Sequence, residues 1–254
     1  MAAARGLAAF ARGWRGVARS VRIYHLDRAH LASLAALKRP FVPPGGLAFD
    51  IGAHVGDHAR VFAGLGARVV AVEPQPRLAT FLRLAFAANR RVTVVAAAVG
   101  AQEGTLRLLI NPRNPTVSTG SGALVSAAVE AEAWAGERWD ESATVPLTTL
   151  DALIARYGVP DTIKIDVEGL EDQVLAGLSH RVATLSFEFT TVQRGVGLAA
   201  LERAEALGYR RFNLSLGATH AFHFAQPVDA ATVAGTIADL PDAANAGDVY
   251  CFTG

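Results

Sequence analysis

Cysteine and lysine are nearly missing from this chain. A single cysteine, Cys251, stands in 254 residues, so no internal disulfide can form, nothing argues for an oxidising compartment, and cytoplasm is the default expectation. Lysine occurs only at positions 38 and 164, arginine carrying the rest of the positive charge. No apolar run approaches the roughly 18 residues of a membrane-spanning helix. The Cys/His spacings of zinc sites are absent, and no metal-ligand set is read from the sequence. No Gly-Lys-Ser or Gly-Lys-Thr follows a strand, which excludes a phosphate-binding P-loop. With 51% hydrophobic and 19% charged residues, the chain can bury one substantial core, as a single α/β domain of this size does.

One glycine-bearing turn is present. Leu47 to Ile51 is an apolar strand interrupted by Asp50, and Gly52-Ala53-His54-Val55-Gly56 turns into a helix. An answering strand, Arg68 to Val72, ends in Glu73, about 20 residues on, where a nucleotide ribose is held in this kind of unit. A dinucleotide fingerprint needs Gly-x-Gly-x-x-Gly so that the main chain can approach a pyrophosphate, yet His54 and Asp57 occupy the later glycine positions. The NAD-dependent oxidoreductase reading fails there. Asp-x-Gly-x-x-x-Gly remains, an acid at a strand tip before a turn open to a ligand. That suits S-adenosylmethionine, which offers an amino group to an acid and has no pyrophosphate.

Thr162-Ile163-Lys164-Ile165-Asp166-Val167-Glu168-Gly169 reads as a second buried strand ending in acids, followed by a glycine turn and a helix through Val174, Leu175 and Leu178. Ligands of open parallel sheets lie outside the carboxyl ends of the strands, near the topological switch point. Asp50, Glu73 and Asp166 are therefore expected around one crevice. A helix cap is the bland alternative for Asp166, and a favourable charge at the next helix start is the alternative for Glu168 and Glu171.

Phe49-Asp50-Ile51-Gly52-Ala53, Val72-Glu73-Pro74, Thr149-Leu150-Asp151 and above all Ile163-Lys164-Ile165-Asp166-Val167-Glu168-Gly169 resemble, in order and spacing, the FkbM-type S-adenosylmethionine-dependent methyltransferases. The resemblance covers roughly residues 45 to 190. It implies a doubly wound, Rossmann-like methyltransferase sheet, mostly parallel with one antiparallel late strand and helices on both faces. It implies S-adenosyl-L-methionine as cofactor and O-methylation of a hydroxyl on a sugar or other small natural product, a small-molecule acceptor and not a nucleic acid. Asp50, Gly52 and His54 would serve the methionine end of the cofactor, Glu73 the ribose and Val99 the adenine, with Gly56 and Asp166 also among the cofactor-binding residues. His54 departs from the asparagine usual in the family. The resemblance also implies that Glu188, near the end of the strand 182–189, faces the crevice. A hydroxyl acceptor must lose its proton, and Asp166, Glu168 and Glu188 are the carboxylates placed to take it, with His54 and His220 behind them. His220 and His223 by themselves do not make a metal site.

Residues 1–40 hold eight Arg or Lys against one acid, Asp27. Leu7, Phe10, Trp14, Val17 and Val21 recur at steps of three and four, so a helix gathers them on one stripe. Such a basic amphipathic helix, within residues 1–24, suits peripheral contact with an anionic membrane, a cleaved presequence, or docking on the catalytic domain. Residues 1–44 are read as this lead-in and 45–254 as the methyltransferase domain. Further elements are expected as a strand at 92–99, a hairpin strand at Thr105 to Ile110, a polar binding loop at Asn111 to Gly122, and a helix at Ala127 to Glu141. A non-catalytic binding module that keeps the fold and docks through the basic N-terminus is the remaining functional alternative.

Overall fold

The computed structural model describes the backbone of residues 2–253 and the side chains of residues 11–253. Its strands, in chain order, are β1 Leu47–Ile51, β2 Arg68–Val72, β3 Val92–Val95, β4 Ala98–Val99, β5 Gly104–Ile110, β6 Glu141–Thr148, β7 Thr162–Ile165, β8 Thr184–Thr190, β9 Arg211–Leu216 and β10 Ala246–Phe252. The α-helices are α1 Ala2–Ser20, α2 Arg28–Lys38, α3 Asp57–Gly64, α4 Pro76–Ala85, α5 Gly122–Glu130, α6 Leu150–Tyr157, α7 Glu171–Ala176, α8 Arg194–Ala206 and α9 Ala230–Asp239.

Seven strands form one sheet in the order β3-β2-β1-β7-β8-β10-β9. All its pairings are parallel except those of β10, which runs antiparallel to both β8 and β9. Strand order reverses between β1 and β7, so a crevice opens beyond their carboxyl ends, where the flanking loops part to opposite faces. The two faces follow from alternation along each strand. Leu47, Phe49 and Ile51 belong to one core with Leu153 of α6, Val174 of α7, Leu201 of α8 and Ile237 of α9. Ala48, Val69 and Ala71 face Phe62 of α3 and Leu82 of α4. The small side chains on that second face bring α3 close to the sheet, which sets the height of the turn preceding it.

Several expected elements differ. The strand 92–99 is two pieces, because the chain leaves the main sheet after Val95 and Ala98–Val99 joins a separate sheet of order β4-β6-β5. Thr105 to Ile110 is a strand as expected, and among the described residues its only local antiparallel contact is the bridge of Leu109 with Thr119. β5 pairs antiparallel with β6, across a long excursion. The helix in that excursion begins earlier than the expected 127–141, at Gly122, where Ser121 Oγ caps it by accepting from the Leu124 amide at 3.1 Å. The Trp134 and Trp139 region is a short 3₁₀ turn followed by irregular chain, with the two rings stacked.

The N-terminal segment is not one helix. After α1 a π-helical turn, Val21–His25, leads to α2, which Asp27 caps by accepting from the amides of Ala29 and His30. Within the amphipathic stripe, Trp14, Val17 and Val21 pack with Val55, Leu78 and Phe81. The side chains of Leu7 and Phe10 lie outside the described residues. Gly16 of α1 rests directly on Pro112 and Pro115, so this helix lies against the Asn111 to Gly122 loop. α2 covers the far end of the sheet, where Leu37 packs with Tyr250 and Phe252.

Candidate active site

Gly52 is where the main chain leaves β1, and its φ of +76° is accessible to glycine at little cost. A Cβ there would collide with the Asp166 carbonyl oxygen, so the two loops that flank the switch point touch through backbone alone. The turn is held from the second strand. Glu73 accepts from the His54 amide through Oε2 at 2.8 Å and from the Gln75 amide through Oε1 at 2.7 Å. Each oxygen keeps a further lone pair, and Glu73 lies on the wall of the crevice. Burial pushes its carboxyl up to about 7, against the pull of those two amides.

Beneath the turn runs a buried charge relay. Lys164 Nζ lies 3.0 Å from Asp166 Oδ2, 3.8 Å from Asp50 Oδ1, and donates to the Gly52 carbonyl at 3.3 Å. Asp166 and Asp50 hold this ammonium charged, well above the usual lysine range, although burial opposes them. Asp50 is fully buried, and burial raises its carboxyl to about 6 despite Lys164. It is not on the crevice wall. The acid expected to meet the ligand directly instead reaches the site through Lys164. Gly56 is likewise off the wall, its backbone wedged under Leu82 and Phe86 at the start of α3.

Gly52, His54, Glu73, Val99, Asp166, Glu168 and Glu188 line one continuous cavity. Carboxylate oxygens of Asp166, Glu168 and Glu188 all lie within 4.8 Å of one another. Glu168 takes a left-handed backbone, φ +57°, that carries its side chain into this group. Burial and the surrounding acids push the carboxyls of Glu168 and Glu188 well above the usual range. Glu171 does not join them. Its oxygens accept from the amides of Val167 and Gly169, so it staples the loop that presents Glu168. Glu168, His54 and His220 all have positive φ and all line the cavity, a concentration of backbone strain at one place.

The cavity has a second wall, where Tyr24, His30 and Asp57 join His54, His220 and the expected binding loop. His30 of α2 donates from Nε2 to Asp57 Oδ2 at 2.8 Å. Burial opposes the charge on Asp57, but this bond and the Lys164 ammonium hold its carboxyl below the usual range. Tyr24 places its ring 5.5 Å from the ring of His54, and His220 sits 4.9 Å from the ring of His30. His54 is a neutral imidazole, pushed down to about 4 by burial, with Nε2 3.4 Å from the Thr116 hydroxyl. The Asn111 to Gly122 loop contributes Thr116, Ser118 and Gly120 to the wall. Ser118 Oγ accepts from Gln75 Nε2 at 3.1 Å, and Thr119 Oγ1 donates to the Glu168 carbonyl at 2.6 Å, so the loop is tied to both halves of the site. Tyr24, His30 and Asp57 sit on three different elements, and only the charged Asp57 beside the glycine turn left any trace in the sequence.

A seven-stranded sheet in this order with β10 reversed, and a cavity at its switch point lined by an acid at the end of β2, define the class of S-adenosylmethionine-dependent methyltransferases. The methyltransferase FkbM domain matches residues 50–211, and the chain belongs to that family. Among solved structures it is similar to an O-methyltransferase from Bacillus cereus in complex with SAH (14% identity, 96% of this chain and 90% of that chain, TM-score 0.48). A precorrin-6y C5,15-methyltransferase from Geobacter metallireducens is comparable (13% identity, 87% of each chain, TM-score 0.45). No curated protein sequence matches the chain.

Proposed function

We propose that this methyltransferase transfers its methyl group to a hydroxyl of a small, polar acceptor, a sugar or similar natural product. The observation that supports this reading is the convergence of Asp166, Glu168 and Glu188 on the wall of the cavity that Gly52 and Glu73 also line. A hydroxyl must shed a proton as it becomes a nucleophile, and a carboxylate within hydrogen-bond reach is suited to receive it. An acceptor of several hydroxyls finds acceptors for hydrogen bonds from all of them there.

The residues fit the cofactor. Glu73 has a free lone pair on each oxygen for the two ribose hydroxyls, Val99 offers an apolar contact to the adenine, and Gly52 lines the cavity beside the methionine portion. His54 stands beside that portion as a neutral donor or acceptor, and Asp50 and Gly56 act on the turn from behind. When bound, S-adenosylmethionine supplies a methyl group on a sulfonium centre. The protein then has mainly to align the acceptor oxygen and keep water away, and positioning of this kind accounts for much of an enzymatic rate. Tyr24, from the N-terminal segment, and the Asn111 to Gly122 loop supply the cover.

The test is calorimetric titration of the full chain with S-adenosylhomocysteine and with NAD, followed by a methyl-transfer screen comparing hydroxyl and amine acceptors. Micromolar binding of S-adenosylhomocysteine alone, lost in Glu73→Ala, and turnover confined to hydroxyl compounds are expected. Turnover of amines with hydroxyl compounds inert would remove the O-methylation reading. A folded protein that ignores S-adenosylhomocysteine would remove the cofactor assignment.

A further inference from the structure

Three carboxylates from two loop-proximal positions after β7 and one in β8 meet with little to neutralise them. Lys164 engages Asp166 through Oδ2. Glu168 is only 7% exposed, and its carboxylate lies against those of Asp166 and Glu188. Among the described residues Glu188 Oε2 is sealed from solvent and has no hydrogen-bond partner. Asp248 stands directly across from Glu188 in the β8–β10 register, so the strand on that side brings another acid and no cation. A buried, unbonded carboxylate oxygen aimed into a cavity is an unfavourable arrangement unless something positive is meant to sit there.

We propose that Asp166, Glu168 and Glu188 form a binding site for a hard divalent cation, Mg²⁺, Mn²⁺ or Ca²⁺. With the three oxygens no more than 4.8 Å apart, a point exists within about 2.8 Å of all of them, close to the roughly 2.3–2.6 Å of Ca²⁺ and within a small side-chain adjustment of the roughly 2.0–2.1 Å of Mg²⁺. An all-oxygen set without nitrogen or sulfur selects these ions over Zn²⁺ or Cu²⁺. Three protein ligands on one side leave the cavity side of the ion open. On the reading that the acceptor is a hydroxyl compound, that open side is where one or two acceptor oxygens bind, and the ion lowers the hydroxyl pKa. This role rests on the proposed function, whereas the cation site itself does not.

The experiment is calorimetric titration of the full chain with Mn²⁺, repeated with S-adenosylhomocysteine present, on the wild type and on Glu168→Gln and Glu188→Gln. Circular dichroism melts verify that each variant is folded. One saturable Mn²⁺ site, displaced by excess Mg²⁺ or Ca²⁺ and weakened at least tenfold in both variants, is expected, with S-adenosylhomocysteine affinity changed less than about threefold. No saturable Mn²⁺ binding by a protein that binds S-adenosylhomocysteine overturns the site, as does Mn²⁺ affinity unchanged in the two variants. Mn²⁺ saturation in a protein that ignores S-adenosylhomocysteine upholds the cation site and strikes only at the methyltransferase reading.

Discussion

Lys164 and Asp50 stand opposite one another in the β1–β7 register, and their side chains meet at 3.8 Å in a layer that water does not reach. The only other lysine, Lys38, is also buried, its ammonium 4.5 Å above the ring of Tyr250. Removing the cation from a buried pair strands the acid. Lys164→Met is expected to lower stability by about 3 kcal/mol, and adding Asp50→Asn should recover a good part of that loss. Urea denaturation of the single and double variants measures both, and equal losses in the two would show the pair to be uncoupled.

Gly52→Ala should be among the most damaging small substitutions in the chain. It places a methyl group against the Asp166 carbonyl and forces alanine to φ +76°. A loss of about 2 kcal/mol or more is expected from the backbone conformation alone, together with a loss of S-adenosylhomocysteine binding as the two loops part. Thermal melts with and without ligand separate the two effects.

Glu73 carries a carboxyl raised to about 7, so between its unperturbed 4.5 and about 7 the native state holds more protons than the unfolded chain, and unliganded stability falls as pH rises through that window. Ribose hydroxyls donating to the carboxylate favour its charged form. Cofactor binding near pH 6.5 is therefore expected to expel a proton. Titrations with S-adenosylhomocysteine in two buffers of different ionisation enthalpy should reveal that proton, and Glu73→Gln should abolish it.

The His30 to Asp57 bond joins α2 to the start of α3. Asp57 raises the imidazole pKa of His30 by accepting its hydrogen bond, more than burial lowers it. Stabilisation from a raised histidine is complete below the unfolded value near 6.5 and disappears as pH climbs through the folded value. His30→Ala should therefore lower stability by about 1 kcal/mol or more at pH 5.5, and by less at pH 9. Parallel denaturation curves at the two pH values test this, and an equal loss at both would mean that the bond carries no charge.

Val17 is buried where α1 meets Val55 and Leu78, the latter also on the cavity wall. Val17→Ala should cost about 1 to 2 kcal/mol and loosen the cover enough to weaken S-adenosylhomocysteine severalfold. Unaltered affinity with lowered stability would separate the helix from the site.

Legibility in the sequence was uneven for physical reasons. β1, β2 and β7 are short apolar runs ending in acids and punctuated by glycine, a pattern whose period and breakers are local. The break after Val95 was not visible, because Ala96 and Ala97 fit a strand as well as an exit from one, and the choice depends on β6, some fifty residues away. α9 was missed, since alanine-rich composition blurs the apolar periodicity there. Asp50 read as a ligand-facing acid because it ends a strand. Its side chain is buried on the face that Ala48 presents to α3, where the partner from β7 decides its role.

The chain's own order of residues determined the class of fold, the glycine turn, the acid ending β2 and the acid-rich turn after β7, since each depends on neighbours within a few positions. Only the tertiary structure decided that Glu188 would stand within reach of Asp166 and Glu168, that Lys164 would separate Asp50 from the cavity, and that His30 and Tyr24 would close it. Those meetings join residues from different strands and helices, and they depend on sheet order and strand register, which no local pattern encodes.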